Sequence, residues 1–120
     1  MPNDPNFQMD LVIAWHLGDV HRIEKLLQEG CDPNGRNLIG ETLLHKASKK
    51  GDLEVVRLLV RYGADVNLQD NLGSTPLHEA VIADHTTIVA FFVEVGADQT
   101  LRNREGRTPR EVAVVNGSNY

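Results

Sequence analysis

Residues 75–80 of the chain read Thr75-Pro76-Leu77-His78-Glu79-Ala80, and this stretch recurs along the sequence at a fixed interval. At 33 positions before it the chain has Thr42-Leu43-Leu44-His45-Lys46-Ala47, and 33 positions after it Thr108-Pro109 and Ala113 remain. Residues 37–69 and 70–102 are identical at 11 of 33 aligned positions, whereas chance would give roughly two. This period predicts a repeat protein with units at about 4–36, 37–69 and 70–102 and a short fourth unit at 103–120.

Each complete unit has the pattern of two short helices separated by a break. In the second unit, residues 42–50 place Leu44 and Ala47 on one face, and Gly51-Asp52 then interrupts the pattern. Residues 53–62 follow with a second apolar row. That row consists of Val55, Val56, Leu58 and Leu59. The unit is therefore predicted to be a helical hairpin.

The segment between one hairpin and the next has the composition of a turn. Gly63 stands where a helix end favours positive φ, and residues 65–73 contain Asp, Asn and Gly, whose side chains or backbone freedom suit turns. A two-helix unit cannot bury its apolar side alone, so neighbouring units must stack. We therefore expect an all-α solenoid of stacked helix-turn-helix units, forming a single domain over residues 1–120.

The sequence resembles the ankyrin-repeat family, whose signature Thr-Pro-Leu-His-x-Ala and repeat length it shares at residues 75–80. The second unit departs from this signature only by Leu43 in place of Pro, and the first unit lacks the Thr-Pro entry. In the fourth unit Arg110 and Glu111 replace Leu and His, and the second helix is missing. The resemblance implies about three and a half ankyrin repeats with β-turn or hairpin tips between them.

Charge and cysteine content exclude several classes of function. The chain has 12 Lys and Arg against 17 Asp and Glu, a net charge of -5, which disfavours direct nucleic-acid binding. Its single cysteine, Cys31, cannot form an intramolecular disulfide, and its N-terminal residues do not resemble a signal peptide. No apolar stretch is long enough to span a membrane. We therefore expect a cytoplasmic or nuclear protein, and the first residue Met1 with the degenerate first unit favours a true N-terminus.

The sequence favours a protein without catalytic residues, cofactor or metal. His45 and His78 each follow a Thr by three residues, a pairing that the resemblance assigns to tying the helix start to the turn. His16 and His21 lack the spacing of paired helical metal ligands, and Cys31 is expected to be a small packed thiol. No nucleophile elbow or phosphate-binding loop is present.

A protein-binding role is the function that the resemblance implies, because turn tips and the exposed side of each first helix line a groove in ankyrin-like stacks. Four apolar residues at such positions, Leu38, Ile39, Leu72 and Ile82, would form a contiguous stripe. The alternative is that Ile39 and Leu72 pack tip to tip. The full set of predicted partner-binding residues is Leu38, Ile39, Glu41, Lys46, Lys49, Asn71, Leu72, Ser74, Glu79, Ile82, Arg104 and Arg107.

Two other binding modes remain open from the sequence. The chain could instead be a peptide-reading module of a larger protein that holds a basic tail through Glu41, Glu79 and Asp84. Residues 102–110 also carry four Arg, which suit an acidic peptide or phosphate but equally a solvated end face. The mixed charges beside the apolar stripe favour a protein partner over a polyanion. Such a protein would inhibit, tether or present its partner, as regulatory adaptors do.

Several positions lead to structural expectations. Trp15 is expected to cover the open N-terminal side of the stack, and Phe91 and Phe92 to need extra space in the third unit. Asp84 stands where other units have Gly, which predicts strain and makes the third unit the least stable. The missing last helix indicates either part of a longer array or a small protein, expected to be monomeric, whose open C-terminal face allows self-association.

Overall fold

A computed structural model describes residues 5–117, with side chains from residue 9 onward. Over that range the chain forms seven helices and no strands, in a stack measuring 42 × 25 × 23 Å. The helices are α1 (Pro5–His16), α2 (Val20–Gln28), α3 (Leu43–Lys50), α4 (Leu53–Arg61), α5 (Pro76–Ile82), α6 (Thr86–Glu94) and α7 (Pro109–Asn116). The predicted all-α repeat fold is confirmed.

The first helix of each unit after the first begins at a threonine. Thr42, Thr75 and Thr108 are the N-caps of α3, α5 and α7, and each hydroxyl accepts the backbone N–H three residues later. The side chain at that third position in turn accepts the N–H of the threonine, so two helix-end donors are satisfied reciprocally. His45 and His78 therefore occupy the place that Glu111 occupies in α7.

The second helices begin differently. Asp19 and Asp52 cap α2 and α4 by accepting the N–H groups of Arg22 and Val55. At the equivalent position of α6 stands His85, which makes no side-chain capping bond. Its Nε2 instead lies 3.0 Å from the carbonyl oxygen of Lys49 in the preceding unit. The third unit thus exchanges a local cap for a bond between units.

The core runs continuously through the stack and is built mostly from aliphatic side chains. α1 packs on α2, α3 on α4 and α5 on α6, while α3 packs on α5 and α5 on α7. The four apolar residues predicted for the second helix of unit two are all buried. Phe92 is also fully buried, and Phe91 is half-buried with the Arg57 guanidinium 5.5 Å from its ring. The large rings are accommodated in the third unit without leaving the core.

Hydrogen bonds between units repeat at equivalent positions. The side-chain oxygen of Asn34 accepts the N–H of Asp65 at 2.7 Å, and that of Asn67 accepts the N–H of Asp98 at 2.8 Å. Each asparagine therefore links its own loop to the loop of the following unit. Since these bonds join residues about one repeat apart, they hold neighbouring units in register as well as in contact.

Trp15 does not cover the N-terminal side of the stack, so that prediction is wrong. Its indole N–H donates to Asp52 Oδ2 at 3.2 Å, and Lys50 Nζ lies 5.0 Å from the ring centroid. Both partners belong to the second unit. The ring therefore faces the following unit, where Asp52 provides an acceptor for its N–H.

Asp84 has φ 59°, in the left-handed region, as the sequence predicted for a glycine position. The equivalent Gly51 has φ 87° and lies so close to the His85 ring that an added Cβ would be 2.6 Å from a ring carbon. Glycine at residue 51 therefore serves both the turn and the close approach of His85. The left-handed backbone at Asp84 is strained, whereas the other units have glycine at this position and avoid that strain.

Candidate partner-binding face

The tips between units share one geometry, built around a single side chain. Tip 1 (37–41), tip 2 (70–74) and tip 3 (103–107) are each closed by a backbone hydrogen bond of 2.8–2.9 Å from the first residue to the last. The side-chain oxygen of the first residue accepts two further N–H groups within its own tip. Each tip is therefore a pre-formed turn, so its outward side chains are presented in a defined conformation.

Adjacent tips are also bonded to each other through the backbone. The N–H of Asn71 donates to the Ile39 carbonyl at 3.0 Å, and the N–H of Arg104 donates to the Leu72 carbonyl at 2.8 Å. The Asn71 side chain adds a bond to the Leu38 carbonyl. Together with the outward sides of α1, α3, α5 and α7, the three tips form a surface that we call the groove face.

The apolar residues predicted for this face are exposed. Leu38 is 100% exposed, and Ile39, Leu72 and Ile82 are 57%, 59% and 51% exposed. Leu72 and Ile82 line one cavity of about 320 Å³, while Leu38 and Ile39 lie on the neighbouring tip and do not line it. If Ile39 and Leu72 pack on each other at all, the contact covers less than half of each residue. The backbone bonds hold these two tips together.

The polar residues predicted for the site differ in what they can offer to a partner. Lys49 and Arg104 are exposed, and Lys46 is half-buried beside Glu41, with 3.9 Å between its Nζ and the carboxylate. Arg107 donates to Glu105 at 3.3 Å. Asn71 is exposed, although its amide is engaged with tip 1.

Ser74 corrects the sequence-based expectation of an exposed tip residue. It is only 6% exposed, and its hydroxyl donates to Glu79 Oε1 at 2.9 Å. Its carbonyl oxygen lies 2.8 Å from His45 Nε2. Ser74 therefore connects tip 2 to α3 and α5, because the closed turn directs it inward, and it presents little surface to a partner.

Sequence reasoning missed a second cavity on the groove face. This cavity of about 300 Å³ lies between α1 and tip 1, and the surface exposed inside it is formed mostly by apolar atoms. Among the described residues α1 does not approach α3 as closely as α3 approaches α5. The cavity is lined by Met9, Leu11, Val12, Pro33, Gly35, Arg36, Asn37, Glu41, Thr42, Leu43 and Lys46. The available signal was that Met9 and Val12 align with Thr42 and His45, so the first unit is apolar where the others are polar.

His45 and His78 bind within the fold at both ring nitrogens. Nδ1 of His45 accepts from the Thr42 backbone N–H at 3.2 Å and lies 2.9 Å from its hydroxyl, and the same pattern joins His78 to Thr75. Nε2 of His78 donates to the Arg107 carbonyl at 2.9 Å. Burial lowers the pKa of His78, although the bond to that carbonyl and nearby acids oppose the shift. The predicted Thr–His pairing is confirmed.

The cysteine environment is that of a packed thiol. Cys31 is 3% exposed, and its pKa is raised to about 11 by burial, with Asp32 and Asp10 contributing. A thiol with this pKa forms little of the reactive thiolate near neutral pH. Within residues 5–117, no group of three or more His, Cys, Asp and Glu is placed to hold a metal ion.

The arginine-rich C-terminal segment does not form one free cationic cluster. Arg102 pairs with Glu111 at 3.0 Å and Arg107 with Glu105 at 3.3 Å, whereas within residues 5–117 neither Arg104 nor Arg110 makes an ion pair within 4.0 Å. Half of the cluster is thus matched by acids of the same segment. A solvated end face is therefore a sufficient account of it.

Stacked helical pairs with hydrogen-bonded tips define a helical-repeat protein. The family model for ankyrin repeats (3 copies) matches residues 11–103 and 63–120. The chain belongs to the ankyrin-repeat family. Ankyrin repeats are generally protein–protein interaction modules and are typically non-catalytic. In the described part of the chain, none of the helices is sufficiently long and apolar to cross a bilayer.

Proposed function

We propose that this protein is a non-catalytic interaction module that binds a protein partner on its groove face and thereby inhibits, tethers or presents that partner. We further propose that it acts in the cytoplasm or nucleus. It acts by covering a surface of the partner, and no covalent bond is made or broken.

The observation that carries this proposal is the exposure of Leu38, Ile39, Leu72 and Ile82 on rigid tips and a first helix. Fully burying one such side chain is worth about 1.5–3 kcal/mol. Because the tips are pre-formed and bonded to each other, little conformational entropy is lost when a partner contacts them. Exposed apolar side chains on a pre-organised surface are typical of interaction sites.

Of the three acids on which the alternative, a basic-tail reader, depends, Glu41 and Glu79 are already engaged. Glu41 accepts from the Asn37 amide at 3.1 Å and lies beside Lys46, and Glu79 accepts from the Ser74 hydroxyl. A basic peptide would have to compete with these contacts. The apolar residues of the face have no such competition, which favours the first proposal.

Affinity capture with three baits tests the proposal. The wild-type chain is compared with a Leu38→Asp, Leu72→Asp double variant and with Val95→Asp as the control. Val95 is 43% exposed at the end of the outer helix α6, at a position occupied by Glu29 in the first unit. Circular dichroism verifies that all three baits are folded, and mass spectrometry identifies what each retains.

We expect specific proteins to be lost with the double variant and retained with Val95→Asp. Capture of the same proteins by all three baits would contradict binding through the apolar tips. In that case binding would be sought on another surface of the stack.

A further inference from the structure

Three lysines lie on one side of α3. Lys46, Lys49 and Lys50 are at positions i, i+3 and i+4, which share one face of a helix. Lys49 and Lys50 are exposed and Lys46 is half-buried. We call these three residues the lysine stripe. It lies on the groove face, in a chain whose net charge is -5.

The lysine stripe begins at the apolar cavity between α1 and tip 1. Lys46 lines that cavity together with Met9, Val12 and Leu43. Met9 is 61% exposed, so the wall of the cavity is open to a partner. A volume of about 300 Å³ is at the small end of ligand sites, and suits one or two apolar side chains better than a large ligand.

Two acids beside the stripe are occupied by contacts within the protein. Glu41 is bonded to Asn37, and Asp52 accepts the indole N–H of Trp15 and the N–H that caps α4. Among the described residues, Lys49 makes no ion pair within 4.0 Å, and the Lys50 ammonium lies over the Trp15 ring. Lys46 is the ion-pair partner of Glu41, so the positive charge open to a partner here is carried mainly by the exposed Lys49 and Lys50, while Glu41 and Asp52 are both engaged.

We propose that the partner binds through an acidic segment that carries an apolar anchor side chain, an inference that rests on the proposed function. The anchor enters the cavity beside Met9 and Val12, and the carboxylates lie along the lysine stripe. Charge complementarity of this kind fixes orientation and speeds encounter, while the buried anchor supplies affinity. A nucleic acid fits less well, because the net negative charge repels a polyanion and the surface exposed in the cavity is mostly apolar.

Selection from a phage-displayed library of random 12-residue peptides tests this inference. The baits are the wild-type chain, the charge variant Lys46→Glu, Lys49→Glu and the cavity variant Met9→Glu. The matched control is Arg22→Glu, Lys25→Glu on the outer helix α2, where both residues are exposed and also three positions apart. Circular dichroism establishes that every variant is folded.

We expect the selected peptides to combine an excess of Asp and Glu with a Leu, Ile, Met or Phe residue. Synthetic copies of these peptides, measured by fluorescence anisotropy, should bind the charge variant and the cavity variant at least tenfold more weakly than wild type. The control should remain within about twofold of wild type, because its lost charges lie on the outer helix. Affinity should also fall as salt is raised from about 50 to 500 mM.

The outcomes separate this inference from the proposed function. Neutral or basic peptides that still lose binding with Leu38→Asp, Leu72→Asp would overturn the acidic partner and leave the groove face as the site. Peptides insensitive to every groove-face variant would contradict the proposed function itself. Tighter binding of a single-stranded oligonucleotide, or failure to select any peptide, would also overturn the inference.

Discussion

Replacing His45 with alanine should lower the free energy of unfolding by about 3–5 kcal/mol. The imidazole is 0% exposed and bonds at both nitrogens, to Thr42 and to the Ser74 carbonyl. In the variant the Thr42 N–H loses its buried partner, and the Ser74 carbonyl loses one of two bonds but still accepts the N–H of Asp70. The unsatisfied Thr42 N–H costs about 1–3 kcal/mol, the lost bond to the Ser74 carbonyl costs about 0.5–1.5 kcal/mol, and the cavity left by the ring adds to the loss.

Urea unfolding followed by circular dichroism at equilibrium measures this change. His21→Ala is the matched control, because His21 is exposed on α2 and should shift stability by no more than about 0.5 kcal/mol. A domain of this size has a total stability of about 5–15 kcal/mol, so the His45 variant should be folded but close to its limit. A loss below about 1 kcal/mol would refute the reasoning.

Amide hydrogen exchange tests which part of the structure is loosened when His45 is removed. Without His45, tip 2 loses its bond to α3, so the Asn71 N–H should exchange faster relative to the Arg104 N–H of tip 3, which His78 still supports. His78→Ala should reverse this order. Equal loosening of both tips in both variants would show that the histidines stabilise the core generally and do not hold individual tips.

Three further predictions follow from single residues. Asp84→Gly should raise stability by about 0.5–1 kcal/mol in urea unfolding, because it relieves φ 59°; an unchanged or lower stability would mean that the strain is offset by the side chain. Since burial lowers the pKa of His78 below 6.5, the unfolded chain binds more protons. Stability should therefore be lost as pH falls from about 6.5 through the folded pKa, and a flat profile between pH 7 and 5 would contradict this. Cys31, with its pKa raised to about 11, should react with a thiol reagent at pH 8 far more slowly in the native state than in urea, and equal rates would disprove its burial.

Much of the fold could be predicted because its determinants are local and repeat. Thr75 and His78 are three residues apart, so their pairing at a helix start can be read from spacing alone. The left-handed conformation of Asp84 also follows from a comparison of equivalent positions. The bond from His78 to the Arg107 carbonyl was not predictable, since it joins residues that become neighbours only when units stack.

In the candidate site, too, some properties could be predicted from the sequence and others could not. The exposure of Leu38 and Leu72 was expected from their places in the repeat. The burial of Ser74 was not, because the same sequence position becomes inward or outward according to how the tip closes on the next helix. The direction of Trp15 was misjudged because its neighbour is set by the stacking direction of the units.

By itself, the sequence determined that this protein is a stack of ankyrin repeats with an apolar, exposed set of tip residues, because a 33-residue period encodes the same local turns and caps in each unit. The tertiary structure decided which charges remain available and where cavities form. Glu41 and Lys46 meet at 3.9 Å, and the cavity beside Met9 lies where α1, tip 1 and the start of α3 come together. These properties depend on distances between elements, which no local pattern of residues specifies.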